Sequence, residues 1–292
     1  MRMCSAVASK ATTQRSTPVC LLLFQSFGPL CARETGMLNK FYESKAFQCG
    51  MLKYNEKSRP DMDKELEEIF KSKAKERWFG LAIEERDPRK KVLYYSKVLE
   101  IDPQDVAAWN NKGLALRTLR RYEEAVECYE RALEIEPEDA AIWSNKGVAL
   151  SKLGKHEEAL ACFEEALRLN PEDAAAWNNK GLAFYWAGSY EEALACYERA
   201  LALDPEDAAA WNNKGIALYW LEEYKEAILC YERALALDPE DATAWCNKAL
   251  AFCKLGLFEE AVRCYERALR IDPECEAARS GKRFAQERLR KS

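Results

Sequence analysis

Histidine is almost missing from this 292-residue chain, with His156 as the single copy. A His-based catalytic triad and a multi-histidine metal site are therefore excluded. Glycine is also scarce, at 12 residues, and none of it builds a phosphate-cradling Walker loop or a dinucleotide fingerprint. The 12 cysteines contain no C-x-x-C pair, the usual mark of a thiol redox centre or a zinc site. Cys246 and Cys253 stand seven residues apart without a histidine nearby, which is a weak metal or redox pattern. No apolar run approaches the roughly 20 residues that a bilayer-spanning helix needs. With no catalytic constellation and no cofactor motif, the chain reads as a non-enzyme without a cofactor or metal.

Positive charge is in short supply too. The chain has 44 Lys and Arg against 49 Asp and Glu, a net charge of −5. Residues 1–61 hold nine bases and four acids, so the remainder holds 35 and 45. An acidic domain lacks the basic stripe that neutralises phosphates, which argues against a nucleic-acid partner.

What the chain has in abundance is repetition. Ala208–Asp241 and the 34 residues before it are identical at 26 of 34 positions. Trp recurs at 109, 143, 177, 211 and 245, and Pro at 103, 137, 171, 205, 239 and 273. A fixed period of this size means a stack of one supersecondary unit. Five units run 106–139, 140–173, 174–207, 208–241 and 242–275. Each has two apolar-periodic segments around a break: Leu119-Arg120-Arg121, Leu153-Gly154-Lys155, Ala187-Gly188-Ser189, Leu221-Glu222-Glu223 and Leu255-Gly256-Leu257. Glycine suits a helix C-terminus. Pro at the unit end stops the second helix, and the Asp after it can cap the next. Each unit is thus predicted to be a helix–turn–helix.

Cys128, Cys162, Cys196, Cys230 and Cys264 share one repeat position. Equivalent helices in a stack lie about 8–10 Å apart, too far for a disulfide, which needs Cα atoms within about 7 Å. The column reads as a small, semi-buried apolar position, and its unpaired thiols favour the reducing cytoplasm.

Residues 1–61 differ in character. An apolar run, Val19–Phe24, is shorter than a secretory signal needs and lacks a clear cleavage site. We read this stretch as an extension that is disordered or precedes the true start at Met51 or Met62. From Asp63 the chain reads as helix, with Glu65, Glu67 and Glu68 ahead of Lys71, Lys73 and Lys75, an order that suits the helix dipole. Residues 62–105 then comprise an N-terminal helix and a degenerate capping repeat, 106–273 the five full repeats, and 274–292 a C-terminal capping helix. In that last helix Ala277 is read as the replacement for Trp, and Arg279, Lys282, Arg283, Arg288 and Arg290 make its surface polar.

The units closely resemble the tetratricopeptide repeat (TPR) family. Its Trp, Gly, aromatic, Ala and Pro positions match Trp109, Gly113, Tyr122, Ala125, Tyr129, Ala132 and Pro137, and again Trp211, Gly215, Tyr224, Ala227, Tyr231, Ala234 and Pro239. Ala249 replaces Gly in the fifth unit, His156 an aromatic in the second, and Lys112, Lys146, Lys180, Lys214 and Lys248 stand where Leu is common. The long Lys stems are expected to cover apolar surface while their amines reach water. The resemblance implies an all-α fold, a right-handed α-solenoid of tandem helix–turn–helix units, whose first helices line a concave groove for peptides.

On a helical wheel, the side of the first helix opposite Trp109, Gly113 and Leu116 carries Ala107, Asn110, Asn111, Leu114, Arg117 and Thr118. Its first four positions hold no charged residue in any of the five units, whereas a merely solvated helix face collects charge. Asn111, Asn145, Asn179, Asn213 and Asn247 form an unbroken column beside Asn110, Asn178 and Asn212. A primary amide both donates and accepts, so it can pair with any peptide backbone. The column resembles the asparagine ladder of O-GlcNAc transferases, which implies a grip on extended peptides. Alternatively, these amides bond to one another and set the curvature of the stack. Tyr185-Trp186 and Tyr219-Trp220 add four aromatics to this face; exposed Tyr and Trp are typical binding anchors, and the alternative is that these four pack against the adjoining helices. The groove lacks the Lys and Arg that hold chaperone-tail carboxylates in some relatives. The expected role is a non-enzymatic adaptor for a protein or peptide partner, without stable membrane insertion. A structural scaffold that self-associates through its convex face or its ends is the alternative.

Overall fold

A computed structural model of the chain describes residues 59–291. The reading of residues 1–61 as an extension falls almost wholly outside them. The described chain is helical, with 13 helices and no strand. The first helix, α1 (Arg59–Glu84), begins four residues earlier than the charge pattern suggested. Two compact units divide at Trp78 and Phe79. In the second, the end of α1 and α2 (Pro88–Ile101) precede the five repeats. Phe79 meets the buried ring of Tyr95 edge-on at 5.5 Å.

The repeats supply α3 (Val106–Thr118) and α4 (Tyr122–Ile135), α5 (Ala140–Lys152) and α6 (His156–Leu169), and α7 (Ala174–Ala187) and α8 (Tyr190–Leu203). They continue with α9 (Ala208–Trp220) and α10 (Tyr224–Leu237), then α11 (Ala242–Lys254) and α12 (Phe258–Ile271). The chain closes with α13 (Glu276–Leu289).

Local chemistry places the starts of the repeats' first helices and the turns after them. Asp105, Asp139, Asp173, Asp207 and Asp241 cap the first helices, each carboxylate accepting from a backbone N–H of the first turn. The turns need one left-handed residue. Gly154, Gly188 and Gly256 fill it in three units, at φ 78°, 83° and 74°. Arg120 and Glu222 adopt it in the other two, at φ 59° and 65°, against the usual preference for glycine. Four of the five second helices start with acidic pairs such as Glu123-Glu124, and α10 with Glu226 alone, which favour the dipole.

The core lies between the two helix layers. Tyr129, Phe163, Tyr197, Tyr231 and Tyr265 are at most 1% exposed and anchor the second helices. Each faces a small residue on the first helix of its own unit. A Cβ built on Gly215 would stand 2.6 Å from the Tyr231 ring, so glycine there permits the close approach of α9 and α10. Ala249 accommodates the corresponding contact in the fifth unit while remaining fully buried. The cysteine column is buried more completely than the semi-buried position expected, and all eight described cysteines are free. Desolvation pushes the Cys128, Cys162, Cys196, Cys230 and Cys264 thiols up to about 11, so they are held neutral.

Neighbouring units are stitched by two recurring contacts. Each Trp indole donates to the carbonyl of the Pro six residues earlier, as Trp211 does to Pro205 at 3.0 Å. The lysines that follow do not simply carry their amines to water. Lys146, Lys180, Lys214 and Lys248 lie over the preceding Trp rings and pair with Glu130, Glu164, Glu198 and Glu232 of the previous unit at 2.9–3.3 Å. In α13, Arg279 rather than Ala277 takes the place of Trp. Its Nε donates to the Pro273 carbonyl at 3.1 Å, reproducing the indole bond, while Ala277 is exposed. Lys282 pairs with Glu266 at 2.8 Å and continues the lysine series.

Candidate functional site

Each first helix touches the first helix of the next unit, whereas successive second helices stay further apart. The first helices therefore lie on the inside of the stack. Their outward-turned side chains are the residues of the Asn column and its neighbours.

The asparagines are not independent of one another. The Nδ2 of Asn145 donates to the Oδ1 of Asn110 at 3.2 Å. Asn213 donates to Asn178 at 3.0 Å, and Asn247 to Asn212 at 3.1 Å. Each bond joins consecutive units. Asn212 is the one buried polar residue among those described, at 9% exposure. The chain of amides breaks at a single step. Ser144 stands where an accepting Asn would meet Asn179, and no amide bond spans the gap among the described residues. Arg117 adds a bond to Asn145 Oδ1 at 3.3 Å. A primary amide has two N–H donors and two acceptor lone pairs. One donor or acceptor of each bonded Asn is consumed by its neighbour, and the rest of its capacity is left over.

Tyr185, Trp186, Tyr219 and Trp220 come together as one surface, and two more aromatics join them. Trp220 Nε1 donates to the Tyr185 hydroxyl at 3.1 Å across the unit boundary. The Trp220 ring stacks on Tyr190, with centroids 5.8 Å apart and planes 11° from parallel. Tyr185 lies edge-on to Trp186 at 5.1 Å, and Tyr219 edge-on to Tyr224 at 5.4 Å. Tyr190 and Tyr224 begin second helices, so wheel arithmetic on the first helices could not reach them. Lys254 closes this surface, its amine 5.8 Å from the Tyr219 ring and 5.9 Å from that of Tyr224. Despite these contacts Trp186 remains 64% exposed and Trp220 52%. Burial pushes the Tyr219 hydroxyl above its ordinary range, partly opposed by Lys254.

Across the five units this face contains no acid at the six positions that begin at Ala107. It contains three bases, Arg117, Lys152 and Lys254. No group of three or more His, Cys, Asp or Glu side chains able to hold a metal occurs among the described residues.

The architecture and sequence together decide the family. A model of the tetratricopeptide repeat matches residues 104–172, and a second matches 174–207, 208–241 and 242–275. The chain belongs to the tetratricopeptide repeat family. Solved TPR structures share its fold at low identity. The crystal structure of YrrB, described as a TPR protein with an unusual peptide-binding site, superposes with a TM-score of 0.52 at 24% identity, over 65% of this chain and 97% of that one. PilW, a widely conserved type IV pilus biogenesis factor, gives a TM-score of 0.65 at 21% identity over 72% and 97%. Pseudomonas aeruginosa PilF gives 0.62 at 21% identity over 74% and 99%. An uncharacterized protein of Methanocaldococcus jannaschii is 52% identical over 42 residues, which is 14% of this chain and 49% of that protein. The chain thus spans about half the length of that curated relative. No described helix of this TPR protein is long and apolar enough to cross a membrane.

Proposed function

We propose that this TPR protein is a non-enzymatic adaptor that binds an extended segment of a partner protein along its inner, first-helix face. The observation that carries the reading is the pair Trp186 and Trp220. Both are more than half exposed, yet Trp220 is fixed by a hydrogen bond and a stack. Rigid, solvent-facing aromatics give up little entropy on binding and bury large area. They share the first-helix face with amides that have unused donors and acceptors, and that face holds no acid. In this reading the aromatics supply affinity. The Asn column has two roles: it locks neighbouring units together, and its spare capacity meets the backbone of the bound segment.

Site-specific photo-crosslinking tests the reading. A photoreactive residue replaces Ala141, Ala175 or Ala209, exposed on the inner face, or Ala161 or Ala195, exposed on second helices. The expected result is partner adducts from the inner positions that vanish when Trp186 and Trp220 are both changed to Ala. Adducts confined to the second-helix positions would overturn it and favour a scaffold built on the outer surface, where Leu229 is 64% exposed.

A further inference from the structure

The second residue of each aromatic pair occupies a repeat position that runs along the face as Thr118, Lys152, Trp186, Trp220 and Lys254. All five are exposed. Four consecutive members read base, Trp, Trp, base. Lys254 extends the aromatic surface directly, through its contacts with Tyr219 and Tyr224. The strip is thus an apolar centre flanked by positive charge, inside a repeat region that holds more acids than bases.

Its spacing selects a backbone conformation. Consecutive first helices touch, and touching helices lie about 8–10 Å apart. At that general packing distance the strip presents one side chain about every 8–10 Å. A polyproline II segment has three residues per turn and rises about 3.1 Å per residue, so every third side chain returns to one face about 9.3 Å further on. A β-strand returns to one face every two residues, about 6.6–6.8 Å, and drifts out of register within one or two units. An α-helix returns after about 5.4 Å per turn and about 10.8 Å over two turns, falling short of the step and then overshooting it.

Resting on the proposed peptide-binding function, we infer that the occupant is a polyproline II segment with apolar side chains three residues apart and a carboxylate three residues beyond each. The apolar pair docks on Trp186 and Trp220, and the carboxylates face Lys152 and Lys254. Charge complementarity fixes the ends, and the fold's repeat fixes the spacing. A single-stranded nucleic acid also combines stacking with negative charge. It is disfavoured because the face offers three bases over five units within an acidic domain, far from a continuous phosphate track.

The test is selection of displayed random peptides of about twelve residues, long enough to span the strip at about 3.1 Å per residue, on the full chain. Binders that also bind the Trp186→Ala, Trp220→Ala double variant are removed. Both side chains are exposed, and circular dichroism checks that the variant is folded. Enriched sequences with apolar residues at a three-residue interval and flanking Asp or Glu are the expected outcome. For such a peptide, changing the interval from three to two should weaken binding roughly tenfold or more, as should Lys152→Glu with Lys254→Glu, and the latter loss should shrink as salt rises. Trp-dependent binders without the acids or the interval would overturn this inference and leave the peptide-binding function standing. Absence of any Trp-dependent binder would overturn both. Saturable binding of labelled oligouridylate, abolished by the same Lys reversals, would replace the peptide with a nucleic acid.

Discussion

Ser144 interrupts an otherwise regular exchange of amides, and Ser144→Asn should repair it. At the three intact steps, an Asn of one unit accepts from the next at 3.0–3.2 Å. At the gap, Asn179 is already in place as the donor, on the same face of α7. Both positions are half-buried, so the new bond forms partly out of water. A net intramolecular hydrogen bond contributes about 0.5–1.5 kcal/mol. Ser and Asn have similar helix propensities, and fixing the longer side chain offsets part of the gain. The expected stabilisation is about 0.5–1 kcal/mol, located at the interface of the second and third units because repeat arrays are coupled mainly to nearest neighbours. Urea titration of the full chain measures the total, and amide exchange in α5 and α7 locates it. The decisive control is a double-mutant cycle with Asn179→Ala. A gain that survives in the Asn179→Ala background, or no gain at all, would refute the reasoning, because the bond requires both amides.

Other substitutions have equally definite expectations. Cys275 occupies the N-cap of α13, where the five preceding units place a capping Asp, and it makes no side-chain cap bond; Cys275→Asp should raise the unfolding free energy by about 1 kcal/mol in a urea titration. Trp186→Ala should change stability by under about 0.5 kcal/mol because the side chain is mostly exposed, while Trp220→Ala should cost about 1–2 kcal/mol through its lost stack and hydrogen bond; equal melting curves for the two variants would contradict the assigned contacts. The thiols of the cysteine column keep their protons in the folded chain to about 11, against an ordinary 9.0. Stability is therefore full below about pH 9 and falls as pH rises through about 11, where the unfolded chain binds fewer protons; thermal melts across that window should show the decline, and Cys196→Ala with Cys230→Ala should lessen it. Native alkylation at neutral pH should modify the half-buried Cys253 and Cys275 before the buried column, as peptide mass mapping would show.

Helix limits were legible in the sequence because they depend on neighbours along the chain. The Asp caps and the Pro after each second helix act within a turn of their own positions, and the period of 34 repeats them. The left-handed turn was legible as Gly in three units, and Arg120 and Glu222 fill the same place because the flanking helices impose it. Helical spacing also sorts Asn110 and Asn111 away from Trp109, and the resemblance to TPR proteins assigned their face to the groove. The reading of Ala277 was two positions out of register: the period of 34 carries the Trp column from 245 to Arg279, whose bond to the Pro273 carbonyl takes over that of the indole.

Sequence by itself determined the repeated unit, its helix limits and the residues that share each helix face, since all of these follow from local backbone chemistry and from a fixed angle per residue. Tertiary structure decided which of those residues meet. The Asn145–Asn110 and Trp220–Tyr185 bonds join residues 35 apart, and Lys214–Glu198 joins residues 16 apart. Such contacts depend on the rise and rotation from one unit to the next, which the packing of each second helix against the following first helix sets. A period in the sequence counts residues and contains no information about that rotation.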